Sequence, residues 1–132
     1  MTRSLALTAF LVPDYDEGIA FFTQVMRWRL RQDLPMAPGK RWVVVGPDGP
    51  GGALLLARAA TDEQRATSGH QGAGRVWLFV HTGSFDEDLA HMQAHGVHFT
   101  ETPRTEAYGR VVVFEDPWGN RWDLIEPKAV PA

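Results

Sequence analysis

Cysteine is absent from the 132 residues, so the chain offers neither a disulfide framework nor a thiolate nucleophile, and redox chemistry says nothing about compartment. A large excess of charge of one sign is also missing. With 13 Lys and Arg against 16 Asp and Glu, the net charge of -3 gives no electrostatic case for nucleic acid. A long apolar run is lacking too: residues 5–12 follow Arg3 but end in Pro13-Asp-Tyr-Asp-Glu17 without a small-residue cleavage site. That run is far too short to span a bilayer. What remains is an ordinary globular composition, 44% hydrophobic and 22% charged. The expectation is a cytoplasmic protein of one domain over residues 1–132, with a small molecule or a protein as partner and no nucleic acid or membrane.

The run at residues 5–12 reads as a buried strand. Asp14 then starts a helix, with Glu17 at the capping-box spacing and Ile19, Phe22, Val25 and Met26 on one apolar face. Alternation over residues 28–34 gives a strand broken by the 35–39 segment, and residues 41–46 and 53–58 give two more around a Pro/Gly-rich turn. A polar connection over 59–74 holds a helical turn at 61–66 and ends in a Gly-rich tract at 68–74, readable as a lid or as a linker. The pattern then repeats. A strand at 75–81 precedes Ser84-Phe-Asp-Glu87, read as a capping box; Phe85, Leu89 and Met92 form a helix face, Gly96 ends it, and a short strand covers 97–100. Tyr15/Phe85, Glu17/Glu87, Ile19/Leu89, Ala20/Ala90 and Phe22/Met92 share one offset of seventy positions.

The segment Phe114-Glu-Asp-Pro-Trp-Gly-Asn-Arg-Trp-Asp-Leu-Ile-Glu126 closes the chain as a β-hairpin around a Pro-Trp-Gly-Asn turn. Alternation places Arg121, Asp123 and Ile125 on one face of the last strand and Trp122 and Leu124 on the other. The fold class expected is α+β: two tandem βαβββ modules, about 4–58 and 75–127, whose curled mixed sheets form a cleft.

Three stretches, residues 12–22, the passage through Gly96-Val97, and residues 113–126, resemble the vicinal-oxygen-chelate superfamily of glyoxalases, bleomycin-resistance proteins and extradiol dioxygenases. The resemblance covers almost the whole chain and implies a homodimer. Metal-dependent members place His or Glu on cleft-facing strands, and the matching positions here are Leu7, Arg75, approximately Leu56, and Asp123. Only Asp123 keeps a ligand-type oxygen, so it is the single weak metal candidate and no cofactor is expected. Arg27 stands where relatives carry glycine as the first helix ends.

The candidate ligand-binding residues are Arg75, Trp77, Phe79 and Asp123, on cleft-facing strands. Arg75 and Asp123 are expected to share a charge-assisted hydrogen bond, and Trp77 and Phe79 to stack on a planar ligand. His81, Glu115 and Tyr108 are candidate acids or bases. His91 and His95 are four apart on one helix and read as part of its exposed face. The leading reading is a metal-independent protein that binds an aromatic or anionic small molecule. Two others stay open: a divalent-metal-dependent lyase or dioxygenase, and an interaction module using Trp118.

Overall fold

The first strand, β1 (Leu7–Val12), buries Phe10 and Val12 on one side, as its alternation requires. It leads into α1 (Tyr15–Ala20), capped by the Asp14 carboxylate, which accepts the Glu17 backbone N–H at 2.9 Å. A π-helical turn continues it over Phe21–Val25. The antiparallel strands β2 (Arg29–Ala37), β3 (Lys40–Gly46) and β4 (Ala53–Arg58) follow, and α2 (Asp62–Thr67) comes after them. In this computed structural model, which describes residues 1–128, these elements form one compact unit, Met1–Ser68.

The second unit, from Gly69 onward, repeats the plan. It holds β5 (Val76–His81), α3 (Phe85–Ala94), the short β6 (His98–Phe99) and β7 (Arg104–Glu106), then the hairpin β8 (Gly109–Glu115) and β9 (Arg121–Pro127). The strand orders are β1-β4-β3-β2 and β5-β9-β8-β6, with β7 also on β8. In each unit the first strand runs parallel to the last, so the seventy-residue offset reports a real repeat. The fold is therefore α+β with two mixed sheets, neither closed into a barrel. Among the described residues no helix is long and apolar enough to cross a membrane.

Each sheet buries one face beneath its helix. In the first unit Phe10, Phe22, Val43, Val45 and Leu56 are sealed, with Phe22 edge-on to Phe10 at 5.2 Å and stacked on Trp28 at 5.0 Å. Leu56, expected at a cleft position, belongs to this core: it aligns with Phe10 and Val43, and a Cβ on Gly18 of α1 would lie 2.9 Å from its side chain. In the second unit Phe85 and Met92 of α3 are buried, as are Val112, Phe114, Trp122 and Leu124. Complete burial of a side chain such as Phe114 contributes about 1.5–3 kcal/mol.

Two local expectations are corrected. Strand β2 continues through Pro35 to Ala37 because it is an edge strand with a bulge at that point, where a missing N–H is tolerated. The Ser84 side chain makes no cap bond to α3; the Thr82 hydroxyl accepts the Ser84 N–H at 2.9 Å and itself donates to Asp88 at 2.5 Å. The far end of α3 behaves as read: Gly96 has φ of 76°, and Val97 N–H closes on the Met92 carbonyl at 3.1 Å.

Arg27 adopts a φ of 57°, the left-handed region, to turn the chain from the π-helical segment into β2. A side chain there carries roughly 1–2 kcal/mol of backbone strain. Arg27→Gly is expected to raise folding stability by about 0.5–1 kcal/mol, part of the relieved strain being offset by the greater freedom of the unfolded glycine. Urea unfolding followed by tryptophan fluorescence checks this, and an unchanged or lower midpoint would contradict it.

Candidate functional site

The turn between β8 and β9 is built on one buried carboxylate. Asp116 Oδ1 accepts the backbone N–H groups of Trp118, Gly119 and Asn120 at 3.1, 3.0 and 3.0 Å. Its Oδ2 accepts the Asn120 amide at 2.9 Å and the Trp122 indole N–H at 3.0 Å. Burial pushes the Asp116 carboxyl up, against the pull of these hydrogen bonds.

The Gly-rich tract is strapped onto the same turn. A Cβ on Gly69, whose φ is 83°, would collide with the Trp118 carbonyl oxygen, and one on Gly72 would lie 2.7 Å from Trp77 Cβ. Gln71 N–H reaches the Asn120 side-chain oxygen at 3.3 Å, and Arg121 donates to the Gly74 carbonyl at 3.1 Å. Glycine is needed here for close approach, and the tract is a packed strap.

Ladder partners share a face, so β9 fixes which side chains meet. Arg121, Asp123 and Ile125 align with Glu115, Val113 and Val111 of β8 on the face opposite Trp122 and Phe114. On the other side of β9, Phe79 pairs with Asp123 and His81 with Ile125. Phe79 is 61% exposed while its partner Asp123 is 5% exposed.

Arg75 and Asp123, expected to pair, do not. A bulge between Val76 and Leu78 breaks the parity that would carry Arg75 and Trp77 onto the face of Phe79. Arg75 lies before β5, exposed, its N–H on the Gly72 carbonyl. Half-buried Trp77 sits at the bulge beside Gly72. The cation at the floor of this face comes from β7 instead. Arg104 aligns with Val111 and donates through Nε to both oxygens of Glu101 at 3.0 and 3.2 Å. Through Nη1 it pairs with Glu106. Glu101 accepts the Val113 N–H at 3.1 Å, serving β8 in the gap between β6 and β7.

Sequence reasoning missed Glu101, Arg104 and Glu106. Their signal was the alternation of Arg104 and Glu106 just before a two-residue turn to Gly109. The other candidates are dispersed. Glu115 approaches Arg121 at 3.7 Å, His81 is exposed at the end of β5, and Tyr108 stands 49% exposed in the β7–β8 turn. His91 and His95 lie 4.4 Å apart at the end of α3, their rings tilted by 46°.

Asp123 is the anomaly of this arrangement. Its Oδ1 is buried with no hydrogen-bond partner, where buried carboxylates are nearly always bonded. Burial raises its pKa, the Arg104 guanidinium pulls it down, and Glu101 pushes it up again. Among the described residues no group of three or more His, Asp or Glu side chains is placed to hold a metal. Glu101, the carboxylate that acts on Asp123 electrostatically, is already committed to Arg104 and Val113. This donor set does not fit a divalent cation, which needs more protein ligands.

Two buried carboxylates on one hairpin therefore have opposite energetic signs. Asp116→Ala is expected to destabilise the fold by about 2–4 kcal/mol, since five donors lose their acceptor. Asp123→Asn is expected to stabilise it by about 0.5–2 kcal/mol at neutral pH, by removing an unpaired buried charge. A raised carboxyl pKa means that the folded state holds the proton more tightly. The penalty from Asp123 is thus full above its folded pKa and disappears as pH falls to its unfolded value. The Asp123→Asn gain should shrink on acidification in the same way; denaturant titrations across pH measure both effects.

A family model described as Glyoxalase/Bleomycin resistance protein/Dioxygenase superfamily matches residues 4–124. An uncharacterized protein of Shewanella frigidimarina (strain NCIMB 400) is 44% identical over 128 residues, covering 96% of this chain and 95% of the relative. A 2-epi-5-epi-valiolone epimerase of Actinomyces sp is 28% identical over 145 residues, covering 93% and 79%. Among solved structures, TnmS3, an antibiotic binding protein from Streptomyces sp. CB03234, superposes with a TM-score of 0.78 at 27% identity, covering 97% of this chain and 99% of that one.

Proposed function

Because the chain belongs to the Glyoxalase/Bleomycin resistance protein/Dioxygenase superfamily, we propose that it binds a small organic molecule on the face of the β5-β9-β8 sheet that carries Phe79 and Asp123, without a divalent metal. The observation that carries this reading is the buried, unpartnered Oδ1 of Asp123, an acceptor waiting for a donor. Phe79, beside it and open to solvent, gives an aromatic surface for the apolar body of the ligand. Arg104 and Glu101 supply the polar groups beside Asp123. The likeness to an antibiotic binding protein supports the same class. Nothing in this arrangement requires a bond to be made or broken.

The chain is further proposed to work as a homodimer. Edge strand β2 leaves Leu34 and Met36 at 50 and 58% exposure, apolar side chains that a second copy would cover.

A thermal-shift screen of small organic molecules, run with and without chelator, tests the binding reading. At least one ligand should raise the melting temperature equally in both conditions, and Asp123→Ala should abolish that rise. Bound metal at one per chain by elemental analysis, with chelator-sensitive stabilisation, would overturn it. For the dimer, sedimentation equilibrium should give twice the chain mass, with Leu34→Lys shifting the protein toward monomer.

A further inference from the structure

We infer that the molecule bound at Asp123 carries a protonated amine next to an aromatic or apolar body, and is not an anion. The inference rests on the small-molecule reading above and specifies its ligand class. The first argument is local. Arg104 is the cation that would receive an anionic group, but its charge is already balanced by two carboxylates, Glu101 through Nε and Glu106 through Nη1. Asp123 Oδ1 is the polar atom left over, and it can only accept while ionised. A carboxylate or phosphate brought to this point would meet an unpaired buried carboxylate at short range, whereas an ammonium would neutralise it.

The second argument is the charge around the site. From Gly69 onward the sequence carries nine Asp and Glu against five Lys and Arg, a balance of -4, while residues 1–68 carry seven against eight. Within the site itself Asp123, Glu101 and Glu106 stand against Arg104, while Arg121 on the same face is answered by Glu115. The field over this sheet therefore favours a cation before any contact forms. Phe79 supports the same choice from the side, because an exposed ring attracts a neighbouring ammonium through its quadrupole.

Three probes of matched shape separate the possibilities: 2-phenylethylammonium, 2-phenylethanol and phenylacetate, titrated into the full chain at low salt. Backbone amide shifts of Phe79, Val113 and Asp123 are followed by NMR. The ammonium should bind about tenfold more tightly than the alcohol, and phenylacetate should bind most weakly. In Asp123→Asn, which keeps the shape of the site, the ammonium should fall to the affinity of the alcohol. Glu101→Gln, which can still accept from Arg104 and Val113, should lose part of the preference. If phenylacetate or the alcohol binds at these amides as well as the ammonium does, the amine inference is overturned and the binding reading stands. If the preference survives in Asp123→Asn, the amine is held elsewhere and the inference likewise fails. If none of the three moves these amides at millimolar concentration, both the inference and the binding reading are overturned.

Discussion

The Asp116 carboxylate, with five hydrogen bonds converging on it inside the β8–β9 turn, is the constraint on which the second unit rests. It fixes the residues at the tip and draws the Trp122 indole under the sheet, where the ring stacks on Phe114 at 5.8 Å. Once Trp122 is committed to the helix side, strand geometry sends Asp123 to the opposite face. A one-residue slip would invert every side chain of β9 and put an unpaired carboxylate into the apolar core. The turn therefore sets the register of the hairpin and the orientation of the site together.

The two acids show how one hairpin separates structure from function. Asp116 is buried and surrounded by donors; Asp123 is buried and has an oxygen without any. The first arrangement holds the turn, whereas the second leaves a buried acceptor open, and the proposed binding site rests on that acceptor. The strap over residues 69–74 adds to the rigidity of the turn by packing glycine backbone against Trp118, so that the face bearing Asp123 and Phe79 is backed by fixed structure.

Much of the fold was legible in the sequence. The α1 cap at Asp14, the Gly96 stop, the two faces of β9 and the βαβββ repeat all rest on local rules of period, capping and turn chemistry. Where local rules misled, a neighbouring element had changed the outcome. Ser84 had the spacing of a capping box, but Thr82 supplied the hydroxyl that organises the start of α3. Pro35 looked like a breaker, yet the outer side of an edge strand requires no N–H from it. Leu56 was placed at a cleft position by the resemblance, and its register with Phe10 and Val43 put it in the core.

For the site, the sequence by itself determined that Asp123 and Phe79 would be available on one face of their strands, because alternation is a property of the strand alone. It also settled that no thiolate would take part. Only the tertiary structure decided what stands around Asp123. The bulge at Trp77 and Leu78 withdrew Arg75, since an extra residue in one strand exists only relative to its partner. The cation that replaced it, Arg104, lies in a three-residue strand whose single alternation does not fix its partner, and it reaches this face by pairing with β8. Whether an acceptor is left without a donor depends on every chain segment around it, so the empty bond at Asp123 Oδ1 becomes visible only when the sheet is assembled.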